Sequence, residues 1–172
     1  EPFGHFLAAL TRAVNHATQA GVLVVSAAGN EAVDLNGRLM SVPAQSGNGV
    51  SVSATGPIAQ ANFDRLASYS NFGASVVNFA APGGDLVPPA GVVQDLVPSC
   101  GNLRAGNPNT FFFAAGTSMA TPHVAGVAAL LVGQLGHVGA AKLKAIIGNT
   151  AADVLPTAQQ GRGRVDAGAA LR

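Results

Sequence analysis

The residues with the most chemical potential lie in one unbroken run, Gly116-Thr117-Ser118-Met119-Ala120-Thr121-Pro122-His123-Val124-Ala125-Gly126. Gly116 permits a sharp turn that a larger residue would obstruct. Pro122 is compatible with a helix only near its start, which places the helix boundary just upstream. Ser118 then falls in the first turn, where unpaired backbone N–H groups and the dipole favour negative charge. A serine there can attack a carbonyl while its own N–H helps to hold the resulting oxyanion. The plain alternative is that Thr117 or Ser118 caps the helix. A second candidate is Asn30, at the end of Ser26-Ala27-Ala28-Gly29-Asn30. A tetrahedral intermediate needs preorganised donors, and a side-chain amide at the end of a buried strand is rigid and neutral. An isolated Asn after Gly is otherwise read as a turn residue.

A hydroxyl nucleophile also needs a general base oriented by a carboxylate. The candidates are His5, His16, His123 and His137. His123 follows Ser118 by five positions on one helix and so points away from it. His5 and His16 read as polar positions on a first helix, and His137 as a helix-end residue. The single Cys100 cannot form an internal disulfide or a metal cluster and reads as a free thiol.

The elements that would position these residues are written in hydrophobic periodicity. Phe6, Leu7, Leu10, Ala13, Val14 and Ala17 recur at three- and four-residue spacing, the mark of an amphipathic helix, and Gly21 stands where its terminator belongs. Val22 to Val25 follows as a strand expected to be buried on both faces. Further strands are expected at Val50–Ser53, Val76–Phe79 and Phe111–Ala114. Residues 118–135 read as a helix apolar nearly all round, which belongs in a core. A wetter helix covers about 140–147, with Lys142 and Lys144 facing out. The tail from Gly161 reads as a turn, a short extended piece and a last helical turn. Gly83 to Asn109 is rich in Pro and Gly and is expected to be a surface loop system. The sum is an α/β fold with a largely parallel sheet.

Composition narrows the classes. Hydrophobic residues make up 48% and charged residues 10% of the 172, with a net charge of +1. That leaves ample apolar surface to bury, excludes a disordered chain and provides no electrostatic footprint for nucleic acid. No continuous apolar run approaches the roughly 18–20 residues that span a bilayer. The first residues form no signal peptide, and a helical pattern begins within them, so the chain is expected to start partway through something larger.

The Gly116–Gly126 run resembles the nucleophile motif of the subtilisin-like serine proteases, G-T-S-M-A-x-P-H-V-A-G, at every fixed position. Ala27-Ala28-Gly29-Asn30 is similar to the family's A-A-G-N. Val42-Pro43-Ala44 resembles its aromatic-Pro-Ala turn, Ala67 to Gly73 its F-S-x-x-G segment, Phe79 to Gly83 its x-A-P-G turn, and Gly161 to Ala170 the close of its catalytic domain. The resemblance implies a three-layer subtilisin-like fold and a serine endopeptidase acting through an acyl-enzyme on Ser118, with Asn30 in the oxyanion hole. It implies a substrate cleft lined by Ala27, Ala28, Gly29, Val42, Pro43, Ala44, Gly116 and Thr117, and makes His123 a structural histidine. It further implies a peptide or protein substrate, a prosegment as a candidate partner and a secreted location, although the chain itself carries no location signal. No cofactor is required; structural calcium is a candidate at Asp85, against the simpler reading of a solvated turn carboxylate.

The family's D-(S/T)-G and H-G-T segments and its S-x-G-G strand are absent from this sequence. The whole chain, residues 1–172, is therefore expected to be the C-terminal portion of one catalytic domain, whose N-terminal part bears the Asp and His and would be its partner. Two alternatives remain: a non-catalytic subtilisin-like fragment or pseudoenzyme serving as an interaction domain, and a nucleotide-binding α/β domain. The second lacks both G-x-G-x-x-G after a strand and G-K-(S/T).

Overall fold

The computed structural model describes residues 2–37, 39–101 and 110–172. Helix α1 (Pro2–Gln19) leads through a turn at Gly21 to β1 (Val25–Ala27); β2 (Val50–Thr55) and β3 (Phe79–Pro82) follow. These strands form one parallel sheet in the order β1-β2-β3, with Val25 opposite Val50 and Val52 opposite Phe79. A separate antiparallel ribbon joins β4 (Val97–Gly101) to β5 (Thr110–Ala114) and delivers the chain to α2 (Thr117–Leu135). Helices α3 (Ala140–Thr150), α4 (Thr157–Gln160) and α5 (Ala167–Ala170) complete the order.

Strand β2 explains the layering. All six of its residues are buried, and its side chains alternate between faces. Val50, Val52 and Ala54 join Phe79, Val124, Val127 and Leu131 in the main core, where α2 lies across the sheet and Leu143 and Ile147 of α3 pack behind it. On the opposite face Ser53 Oγ donates to Gln159 O of α4 at 2.5 Å. A smaller cluster of Ala28, Leu35 and Val77 sits beside the end of β1.

Several expectations are corrected. The first strand begins at Val25, and Val22 is 54% exposed. The third begins at Phe79, because Val76 and Val77 close a turn by donating their N–H groups to Gly73 O. Phe111–Ala114 is a strand of the antiparallel ribbon and no part of the parallel sheet. Its partner β4 lies inside the presumed loop system, together with a 3₁₀ turn at Val93–Asp95; residues 102–109 of that stretch lie outside the described ones. Helix α2 buries one face only, leaving Leu130, Val132 and Leu135 exposed. At 19 residues and mean hydropathy 1.2 it is long and apolar enough, by length and composition alone, to cross a bilayer. The continuous-run criterion missed it because Gly, His and Gln interrupt the run. Lys144 is half-buried instead of facing out, and burial, then the nearby Arg162, lowers its pKa.

Candidate active site

The turn before α2 is set by a close approach of two backbones. Gly116 N donates to Gly83 O at 3.0 Å, immediately after β3. A Cβ on Gly83 would lie 2.8 Å from Gly116 O and 2.5 Å from the Cβ of Ala54, so only glycine fits. The hydroxyl of half-buried Tyr69 lies 3.0 Å from Gly83 O and 2.6 Å from Gly84 O, locking the same strand end. Its pKa is pushed up chiefly by burial, so it stays protonated as a donor.

Asn30 and Ser118 meet above this turn. Thr117 donates twice to Asn30 Oδ1, from its backbone N and from its hydroxyl, each at 2.9 Å. The hydroxyl in turn accepts from Gly29 N at 3.2 Å. With its oxygen held, the Asn30 amide presents Nδ2 on its other side. A Cβ built on Gly116 would be 3.7 Å from Asn30 Nδ2 and 3.6 Å from Ser118 N, so both nitrogens flank one point. Ser118 N makes no hydrogen bond among the described residues, as expected for the first turn of a helix. Ser118 and Asn30 are both exposed, facing solvent from a rigid base. The arrangement can offer two N–H donors to a single oxygen beside a serine hydroxyl.

The remaining candidates are placed differently. Thr117, expected to line the cleft, is 0% exposed, and its side chain serves Asn30. Ala28 is equally buried against Leu35 and Val77, so its methyl faces the core; Ala27 is half-buried beside it in β1. Val42 and Pro43 border the turn 42–45, and Ala44 lines a cavity of about 670 Å³ with Thr18, Leu23 and Lys144. His123 Nδ1 lies 2.9 Å from Met119 O, a bond within α2. His5 and His16 are exposed on α1, and His137 follows the end of α2. None of the four bonds to Ser118 Oγ.

Asp85 is neither solvated nor free for calcium. It is buried, paired with Arg65, and accepts from Ser68 N, Ser68 Oγ and Leu86 N. A guanidinium already occupies the place a cation would take. Among the described residues no three His, Cys, Asp or Glu side chains converge as a metal site. Sequence reasoning also passed over Asp95, which is 2% exposed. Burial alone would raise its pKa, but bonds from Val92 N, Gln60 N, Gln60 Nε2 and Ala59 N outweigh that and hold it at about 2. It pins the turn at Ala59–Gln60, whose φ values are positive.

The sequence model of the Peptidase S8 (subtilase) family matches residues 4–166. The chain belongs to the subtilase family. This subtilase is 39% identical over 165 residues to the alkaline elastase YaB of Bacillus sp. (strain YaB), covering 96% of this chain and 37% of the elastase. It is 35% identical over 158 residues to the extracellular basic protease of Dichelobacter nodosus, covering 91% of this chain and 23% of that protein. The crystal structure of a lanthipeptide protease superimposes with a TM-score of 0.82 at 29% identity, over 96% of this subtilase and 54% of that chain. The subtilase thus spans about half, or less, of the length of these relatives.

Proposed function

We propose that this chain carries the nucleophile and the oxyanion site of a serine endopeptidase, and that a histidine and an aspartate from elsewhere in a longer protein complete it. The observation that carries the proposal is the double donation of Thr117 to Asn30 Oδ1, which leaves Nδ2 free within 4 Å of the same point as the unpaired Ser118 N. Ser118 Oγ adds to the scissile carbonyl carbon and passes its proton to the histidine. The carbonyl oxygen takes the electron pair and is held by Asn30 Nδ2 and Ser118 N. Collapse expels the amine with that proton and leaves an ester on Ser118, which water hydrolyses. The substrate is a peptide or protein, and the backbone of residues 27–29, which leads into Asn30, borders the subsite before the scissile bond. The extracellular relative supports a secreted location.

The test uses the complete protein and a fluorophosphonate probe. Ser118 is labelled, and Ser118→Ala abolishes labelling and peptide hydrolysis together. Asn30→Leu lowers kcat by orders of magnitude and leaves KM nearly unchanged, because the donor acts in the transition state. Hydrolysis retained in Ser118→Ala overturns the nucleophile assignment. A complete, folded protein that neither labels nor hydrolyses is the pseudoenzyme instead.

A further inference from the structure

Asn71 takes no part in the chemistry above, yet its side-chain polar atoms are all committed to the loop that bears Asn30. It is 1% exposed. Its Nδ2 donates to Ala28 O at 3.0 Å and to the Glu31 carboxylate at 2.6 Å. Its Oδ1 accepts from Glu31 N at 3.0 Å and from Val33 N at 3.1 Å. Its backbone N donates to Gly29 O at 3.0 Å. A carboxamide offers two donor hydrogens and two acceptor lone pairs, so this side chain is saturated. These bonds reach residues 28, 29, 31 and 33 and pass over 30, which stands outward at the apex.

The wrapping is tight. A Cβ on Gly29 would fall 2.4 Å from Asn71 Nδ2 and 2.7 Å from the Glu31 carboxylate, at a φ of +106°. Neighbouring backbone bonds, Ala32 N to Tyr69 O at 2.8 Å and Phe72 N to Val33 O at 3.1 Å, seat the loop along residues 69–72. Asn30 is therefore fixed from two directions, by Thr117 on its oxygen and by Asn71 through the backbone on both sides of it.

We propose that Asn71 is a positioning residue for the oxyanion donor. It clasps the loop so that the Asn30 amide is aimed before substrate arrives, and it ties the Glu31 carboxylate back so that this neighbouring negative charge does not face the developing oxyanion. The proposal rests on the reading of Asn30 as that donor. An oxyanion donor is effective because it costs no reorganisation at the moment of reaction. Releasing the clasp lets the Gly29–Asn30 backbone rotate and restores that cost.

In the complete protein, Asn71→Ala lowers kcat about 10- to 100-fold with KM within about twofold, the scale of a donor misplaced by a fraction of an ångström to an ångström. In an Asn30→Leu background the same substitution lowers kcat by less than about twofold, since residues acting as a unit are not additive. Gln160→Ala is the control. Gln160 is also a buried amide, 2% exposed, clasping Val154 N and Leu155 N away from Ser118. It lowers Tm without the kcat loss, and its effects add to those of Asn30→Leu. Asn71→Ser, which keeps a donor and an acceptor, carries the same comparison if Asn71→Ala does not fold. The positioning role is overturned if the Asn71 variants lower only Tm, as Gln160→Ala does. It is overturned equally if their kcat loss persists in full when Asn30 is already Leu. An unchanged kcat in Asn30→Leu alone overturns the donor reading first, and the positioning role with it.

Discussion

Thr117→Val, made in the complete protein, separates a residue that aims the oxyanion donor from one that merely fills space. Valine matches threonine in shape, so the substitution at this 0%-exposed position removes the hydroxyl and leaves the volume. Two hydrogen bonds go with it: the 2.9 Å donation to Asn30 Oδ1 and the 3.2 Å acceptance from Gly29 N. At a net of about 1 kcal/mol for an ordinary bond, the stability cost is about 1–2 kcal/mol, read as a Tm lowered by a few degrees. Catalysis responds separately. Asn30 Oδ1 keeps the backbone donation from Thr117 N at 2.9 Å and so loses one of its two anchors. One neutral bond converts to about a fivefold to tenfold loss in kcat. The ceiling is complete loss of the donor, about 10² to 10³, a range measured within the subtilases themselves and not worked from this chain. The assay is steady-state hydrolysis of a chromogenic peptide, with kcat and KM resolved, alongside thermal denaturation. Thr117→Ser retains the hydroxyl and returns kcat to near the parent value. Loss of Tm with kcat untouched in Thr117→Val, or a loss appearing in KM alone, would show that the Thr117 hydroxyl does not aim Asn30.

Two further outcomes concern stability. Asp95 has a folded pKa lowered from 3.8 to about 2, so its contribution is complete above pH 4 and disappears as pH falls through 2; Asp95→Asn should lower Tm at neutral pH, with the gap to the parent closing in acid, and a gap that stays constant down to pH 2 would contradict the assignment. Leu130 is 52% exposed here, so Leu130→Lys should leave the Tm of this chain alone nearly unchanged and raise its solubility. If the rest of a longer protein covers α2, the same substitution buries a charge and lowers the Tm of the complete protein by many degrees; equal Tm changes in the two forms would show that nothing covers that face.

What was legible in the sequence depended on how far apart the interacting residues stand. Gly116, Ser118 and Pro122 are chain neighbours, so the turn, the start of α2 and the exposed serine followed from local rules. The Asn30–Thr117 contact joins residues 87 positions apart. Only the motif resemblance brought them together, and it assigned Thr117 to the cleft when its hydroxyl faces inward. Asp85 read as a solvated turn carboxylate because Gly and Pro surround it, and Asp95 gave no local signal at all. Their partners, Arg65 at 20 residues and Ala59 at 36, are invisible to a local window. Periodicity failed for a different reason. Val76 and Val77 are apolar because Val77 fills the small cluster by Ala28, a demand that a turn meets as well as a strand does. Pro98 and Gly101 disguised β4, since both are tolerated in a two-stranded ribbon where few backbone groups need a second partner.

Helix α2 carries the argument furthest. Its composition asks for burial on every side, and the sheet satisfies one side: Ala120, Val124, Val127, Ala128 and Leu131 are buried, while Leu130, Val132 and Leu135 are not. Whether anything covers that open face is what Leu130→Lys decides. The proposed chemistry makes a separate demand, because Ser118 is exposed with no histidine bonded to it among the described residues. Packing and catalysis are independent demands, one of apolar area and one of proton transfer. The two lie at opposite ends of the same helix, Ser118 in its first turn and Leu130 to Leu135 in its last turns, so neither observation stands in for the other.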